Sequence, residues 1–339
     1  MGIIRFKRKI SIIASGTAAG KMESEGPLGE IFDRIDVSDR FGADTWEKSE
    51  SEMQRIALGC AIEKSGYTKE QIDALYAGDL LNQCVGSSFG LVSYEIPFLG
   101  IYGACSTLGE GMLLASLMLE GGCGRVCASS CSSHNCSAER QFRYPLEYGG
   151  QRPPTAQWTV TGAAAHILST EREGVAFVTR AQVGIAVDGG VADANNMGAA
   201  MAPAAADTII RYFSESGESP DDYDLILTGD LGYEGSDILC TLTRNRGLDI
   251  SRVHDDCGMI IYDRERQDVH SGGSGCGCSG IVFGSHILPM LERGELERIL
   301  LIPTGALMNP ASIQQGQSIL GIAHLLRIET AKKQSRERG

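Results

Sequence analysis

No stretch of this chain is apolar for long enough to cross a bilayer. Its longest such run, residues 111–119, falls far short of the roughly 20 residues that a spanning helix needs. Positive charge is also scarce. Thirty Lys and Arg face 43 Asp and Glu, a formal net charge of -13, which argues against nucleic acid as a partner. The basic residues that do cluster, Arg5-Phe6-Lys7-Arg8-Lys9 and Lys332 to Arg338, read as solvated ends rather than a footing on anionic lipid. No apolar segment of secretory length stands at the start, so the eleven cysteines are expected to be free thiols of a reducing compartment. Close cysteine pairs of the zinc-binding kind are missing too. Cys123, Cys127, Cys131 and Cys136, with His134 among them, are spaced too widely to suggest a metal. No metal and no cofactor is expected.

What is present begins with Gly103-Ala104-Cys105-Ser106-Thr107, followed by an almost wholly apolar segment through Met112, Leu113, Leu114, Leu117, Met118 and Leu119. A cysteine that opens a buried helix lies among unsatisfied N–H groups, which favour its thiolate. Cys105 is therefore the candidate nucleophile and is expected to be the most reactive of the thiols.

The chain also reads as two copies of one unit. Residues 66–80 align without gaps on residues 217–231: each begins at a glycine able to end a helix, passes an acidic turn, becomes a short apolar strand and closes on Gly-Asp-Leu. Apolar residues at helical spacing precede both, Met53, Ile56, Ala57, Cys60 and Ala61 in one, Ala205, Ile209, Tyr212 and Phe213 in the other. Further on, Ala104-Cys105-Ser106 lies opposite Gly277-Cys278-Ser279, and Arg125-Val126 opposite Arg298-Ile299. Two matches in the same order indicate duplication, with halves at 1–172 and 173–339. The helices after Cys105 and Cys278 are apolar nearly all round, so each is covered on every side. Two such helices between two sheets give a layered α/β protein, an α-β-α-β-α stack.

A duplicated unit, a cysteine opening a central helix, and Thr161-Gly162-Ala163-Ala164-Ala165 closing the first half together resemble the thiolase and ketoacyl-synthase superfamily. More closely, Gln151-Arg152-Pro153-Pro154-Thr155-Ala156-Gln157-Trp158-Thr159-Val160-Thr161-Gly162, the Cys105 loop and Ile302-Pro303-Thr304-Gly305-Ala306-Leu307 resemble the stage V sporulation protein AD family of spore-forming bacteria. The resemblance implies a thiolase-like five-layer sandwich built from two pseudo-repeats.

Set against that superfamily, the catalytic partners of Cys105 are missing. In the loop Gly273-Ser274-Gly275-Cys276-Gly277-Cys278-Ser279-Gly280, Ser274 stands where thiolases carry histidine, and a serine is no general base near neutral pH. His270 reaches inward only if its loop is remodelled. Pro303-Thr304-Gly305 stands where the second cysteine belongs, and Asn309 and His324 lack the flanking glycines of ketosynthases. The expectation is a binding protein and not an enzyme. The resemblance implies dipicolinic acid as its ligand, free or as the calcium chelate, taken up into the developing spore. It also implies membrane proteins of the same sporulation operon as partners, a homodimer, and a peripheral position on the cytoplasmic side of the forespore or inner spore membrane. A dicarboxylate needs charge-assisted donors, which Arg140, Arg143 and Arg152 can supply. The expected ligand-contacting set is Cys105, Arg152, Gln157, Ser274, His324, His134 and Arg140. The alternative is an acyl-thioester condensing enzyme or acyltransferase that uses Cys105 as nucleophile.

Overall fold

The computed structural model describes residues 2–142 and 151–330; Arg143 and the basic cluster at 332–338 lie outside the described residues. The first half supplies strands β1 (Ile4–Ala19), β2 (Ala74–Asp79), β3 (Phe98–Gly100), β4 (Val126–Ser133) and, after the two-residue β5 (Trp158–Thr159), β6 (Gly162–Ser169). The second supplies β7 (Ala176–Gln182), β8 (Leu225–Thr228), β9 (His254–Asp256), β11 (Arg298–Ile302) and β12 (Leu325–Glu329), with the short β10 (Gly273–Ser274) pairing with β5. From a central seam outward the strands run β1-β6-β4-β2-β3 on one side and β7-β12-β11-β8-β9 on the other. Position by position the directions match. β2 is parallel to β3 and β4 as β8 is to β9 and β11, while β6 and β12 are antiparallel to both their neighbours.

Helices follow the same double pattern. In the first half these are α1 (Trp46–Ser65), α2 (Val85–Leu91), α3 (Thr107–Glu120) and α4 (Asn135–Phe142); in the second they are α5 (Met197–Ser216), α6 (Gly232–Arg244), α7 (Cys276–Val282) and α8 (Leu288–Arg293). Capping explains where the long ones stop. Thr45 and Asn196 accept N–H bonds at the starts of α1 and α5, and Gly66 and Gly217 end them at φ 66 and 71, the left-handed conformation that glycine tolerates best.

Alternation along the strands separates the layers. In β4, Cys127 and Cys131 face the shared core while Val126 and Ala128 face α1; in β11, Ile299 and Leu301 face that core while Leu300 and Ile302 face α5 and α6. Leu108, Met112, Ala115 and Leu119 of α3 join Ile281, Val282 and Phe283 of the second central segment in the same core. The layers are thus α1 and α2, a half-sheet, α3 with α7, the second half-sheet, and α5 with α6. This is the thiolase-like sandwich. Two details depart from the sequence reading. The half-sheets are not separate but are joined by antiparallel pairing of β1 with β7, across an irregularity between Arg5 and Ile10. The helix expected after Cys278 begins at Cys276 and is interrupted at Phe283–Ile287 by a wider π turn. Pro289 follows directly in α8, and a proline without N–H cannot keep the ordinary helical bond. Among the described residues no helix is long and apolar enough to cross a membrane.

Candidate functional site

Four loops meet where β8, β10 and β11 end and α3 begins. They are pressed together so closely that a Cβ at Gly305 would come within 2.4 Å of the Gly103 carbonyl. At their centre lies Asp230, fully buried at the end of β8. One carboxylate oxygen accepts from the Gly275 N–H at 2.8 Å and the Ser274 hydroxyl at 3.3 Å; the other accepts from the Thr304 hydroxyl at 2.9 Å. The Asp230 N–H in turn donates to Thr304 Oγ1 at 3.2 Å. The thiol of Cys105 lies beside this carboxylate, near enough for the Asp230 charge to act on it.

Cys105 sits in a tight turn, Ala104–Ser106, just ahead of α3. Ala104 before it has φ 50, a left-handed backbone that is costly for a residue with a Cβ and is found where function fixes the chain. Burial, and then the Asp230 charge, push the Cys105 thiol well above its ordinary pKa. Burial likewise raises the Asp230 carboxyl to about 7, with the neighbouring Cys105 thiol and the Gly275 and Thr304 donors pulling it down. The expected thiolate at the helix start is therefore reversed: desolvation and an adjacent acid outweigh the N–H groups.

The other residues named from sequence fall into separate groups. Ser274 shares Asp230 with Cys105, and Gln157 joins them by donating from Nε2 to the Asp230 carbonyl at 2.7 Å and the Gly273 carbonyl at 2.8 Å. Arg152 stands beside this group with its guanidinium 4.8 Å from the Trp158 ring centroid, and Trp158 pairs with Gly273. None of the other three hydrogen-bonds to the Asp230 cluster among the described residues. His134 has Nε2 2.8 Å from the Asp39 carbonyl and accepts from the Cys136 N–H at Nδ1. Arg140 pairs with Glu47 at 3.2 Å on the rim of a pocket of about 390 Å³. His324 accepts from the Gly184 N–H, and burial lowers its pKa to about 4. His270 turns to Asp268 and the Pro153 carbonyl, and the Asn309 side chain caps a short helix. Among the described residues no group of three or more His, Cys, Asp or Glu is placed to hold a metal ion.

Asp230 is the residue that sequence reasoning missed. Its signal was the acid of the repeated Gly-Asp-Leu, since an acid that ends an apolar strand in both copies is placed at the mouth of the layers. Asp256, also fully buried, holds the turn that follows Asp230 by accepting from the Leu231 and Gly232 N–H groups, both at 2.9 Å.

The family model for stage V sporulation protein AD matches residues 2–329. The stage V sporulation protein AD of Bacillus subtilis (strain 168) is 45% identical over 326 residues, covering 96% of this chain and 96% of that protein. Among solved structures, cerulenin-bound OleA of Xanthomonas campestris superposes with TM-score 0.61 at 15% identity, covering 96% of this chain and 97% of its own. The 3-oxoacyl-[acyl-carrier-protein] synthase III of Aquifex aeolicus VF5 does so with TM-score 0.56 at 12% identity, covering 94% and 99%. At such identities these two structures establish the fold alone.

Proposed function

The chain belongs to the stage V sporulation protein AD family, and on that footing we propose that it binds a ligand on a thiolase-like scaffold without transforming it. The observation that carries this reading is the buried Asp230 carboxyl beside the Cys105 thiol, whose charge pushes that thiol up. A thioester-cleaving cysteine needs a base that takes its proton and a cation that steadies its anion. Here the position expected for histidine holds Ser274, and the neighbour of the sulfur is a carboxylate whose charge opposes a thiolate. The ligand proposed is dipicolinic acid, free or as its calcium chelate, for uptake into the developing spore. Membrane proteins of the same operon are the proposed partners, and the inner spore membrane the proposed place of work.

The homodimer is proposed through β3. Among the described residues that strand ends the sheet with one side unpaired, and Phe98, Leu99, Phe89 and Val92 are exposed on it and just before it, an apolar edge of the kind that pairs with a second chain. Sedimentation should give twice the chain mass, and Leu99→Lys should halve it.

The second reading is an acyl-transfer enzyme, favoured by the position of Asp230 beside the thiol, where burial raises the carboxyl to about 7. The thiol lies higher still, so the proton rests on sulfur. Calorimetry with dipicolinate, with and without calcium, tests binding. Thiol release from acetyl- and acetoacetyl-coenzyme A tests chemistry. Steady release abolished by Cys105→Ala would overturn the binding-only reading.

A further inference from the structure

Beside the Asp230 cluster lies a pair of donors that the protein leaves empty-handed. The Arg152 side chain is 8% exposed, and its Nη2 donates to the Asp268 carbonyl at 2.8 Å and to Asp268 Oδ2 at 2.7 Å. Among the described residues its Nη1 is buried without any partner, and so is Nε1 of Trp158, whose ring lies against the guanidinium. Buried donors are rarely left unmet, and an arginine fork is shaped for two oxygens at once. Asp268 itself is 76% exposed and also holds His270 Nε2 at 2.9 Å. The acid that half fills the fork is thus a solvent-facing side chain on the edge of its loop, free to swing away.

From this geometry we infer that Arg152 and Trp158 form a carboxylate subsite, and that Asp268 occupies it in place of a ligand carboxylate. An incoming carboxylate displaces Asp268 Oδ2 from Nη2, takes Nη1 as well, and accepts from Trp158 Nε1. The ligand class is a small carboxylate whose flat apolar body lies along the indole. The subsite stands on its own geometry and rests on the binding function proposed above only for the identity of the natural ligand.

The chain has two tryptophans, so Trp46→Phe leaves Trp158 as the sole reporter. Its fluorescence is titrated with pyridine-2-carboxylate, with acetate, and with pyridine as the uncharged control. Both carboxylates should give a saturable change that pyridine does not. Arg152→Lys should weaken pyridine-2-carboxylate by about tenfold or more, because an ammonium cannot reproduce the fork. Asp268→Asn, at an exposed position, should tighten it by about fivefold, because the competing charge is gone. No carboxylate-dependent signal, or equal affinities in all three proteins, would overturn the subsite. If dipicolinate binds by calorimetry while Trp158 stays silent and Arg152→Lys changes nothing, the subsite fails and the binding function stands. If pyridine-2-carboxylate binds at Trp158 but dipicolinate does not bind, the subsite stands and that ligand is wrong.

Discussion

Asp79 and Asp230 occupy matching places, each the acid of a Gly-Asp-Leu at the end of a buried strand, and they have been put to different uses. Asp79 is satisfied by its own half. It accepts from the Leu81 N–H at 2.9 Å and from the N–H and hydroxyl of Ser87 at 2.7 and 2.6 Å. Glu50 of α1 lies beside it and takes the Ser132 and Ser137 hydroxyls. Asp230 draws its hydrogen-bond partners from two other loops, and beside it, from the opposite half, lies the thiol of Cys105. Duplication supplies an acid at the same mouth twice. The surrounding donors then decide whether it is a strut or part of a site. One copy ties helices to a sheet, and the other holds the loops around Cys105 in register.

The comparison breaks first at the acids themselves. Asp79→Ala and Asp230→Ala should each cost about 3 kcal/mol in denaturant unfolding, since each strands several buried donors. Equal stability to the parent chain in either case would mean that the bonds are not held in solution. The gentler Asp230→Asn should separate the two by chemistry. With the opposing charge removed, the Cys105 pKa falls and iodoacetamide labels it several-fold faster by about the factor a partial pKa unit gives. Asp79→Asn should leave that rate unchanged. Labelling unaffected by Asp230→Asn would place the two residues apart.

A third test is the pH profile. Burial raises Glu50 to about 8 and Asp230 to about 7, against about 4 for an exposed carboxyl. Between those values the folded chain keeps protons that the unfolded chain has released, so stability is full below about pH 4 and declines as pH rises through the folded pKa. The Asp230 contribution should be lost by pH 7, and that of Glu50 only by pH 8. Asp230→Asn and Glu50→Gln should each flatten the matching part of the decline in unfolding free energy measured from pH 5 to 9. A slope unchanged by both would assign it to other groups. The smallest effects are expected from single donors. Ser87→Ala and Thr304→Val should cost about 1 kcal/mol each, with only Thr304→Val altering Cys105 labelling; a change from Ser87→Ala as well would erase the distinction.

Much of the scaffold was legible in particular residues. Gly66 and Gly217 marked where two matching helices end, and the all-round apolar segment after Cys105 marked a helix covered on both sides. Ser274 in place of histidine was visible as well. Asp230 was not, because an acid beside a strand reads as a turn until three-dimensional packing shows its neighbours. The charge state of Cys105 was misjudged for a related reason. Position in a helix is written in the sequence, but the depth of burial that overrides it is not. Pro289 was in plain view, yet the π turn ahead of it depends on how the second central helix must pass Ser15 and His166, against which Gly284 is packed.

The placement of β12 has a consequence for the making of the protein. Residues 325–329 are almost the last described, yet their strand lies between β7 and β11 and not at an edge. A nascent chain that has emerged only as far as α8 therefore carries two strands with open flanks and a gap between them. Pairing across long sequence separations is slow, and open flanks invite the wrong neighbour. The second half cannot close until Glu329 has been made, whereas the first, whose five strands are complete by Ser169, has the whole of that interval to settle.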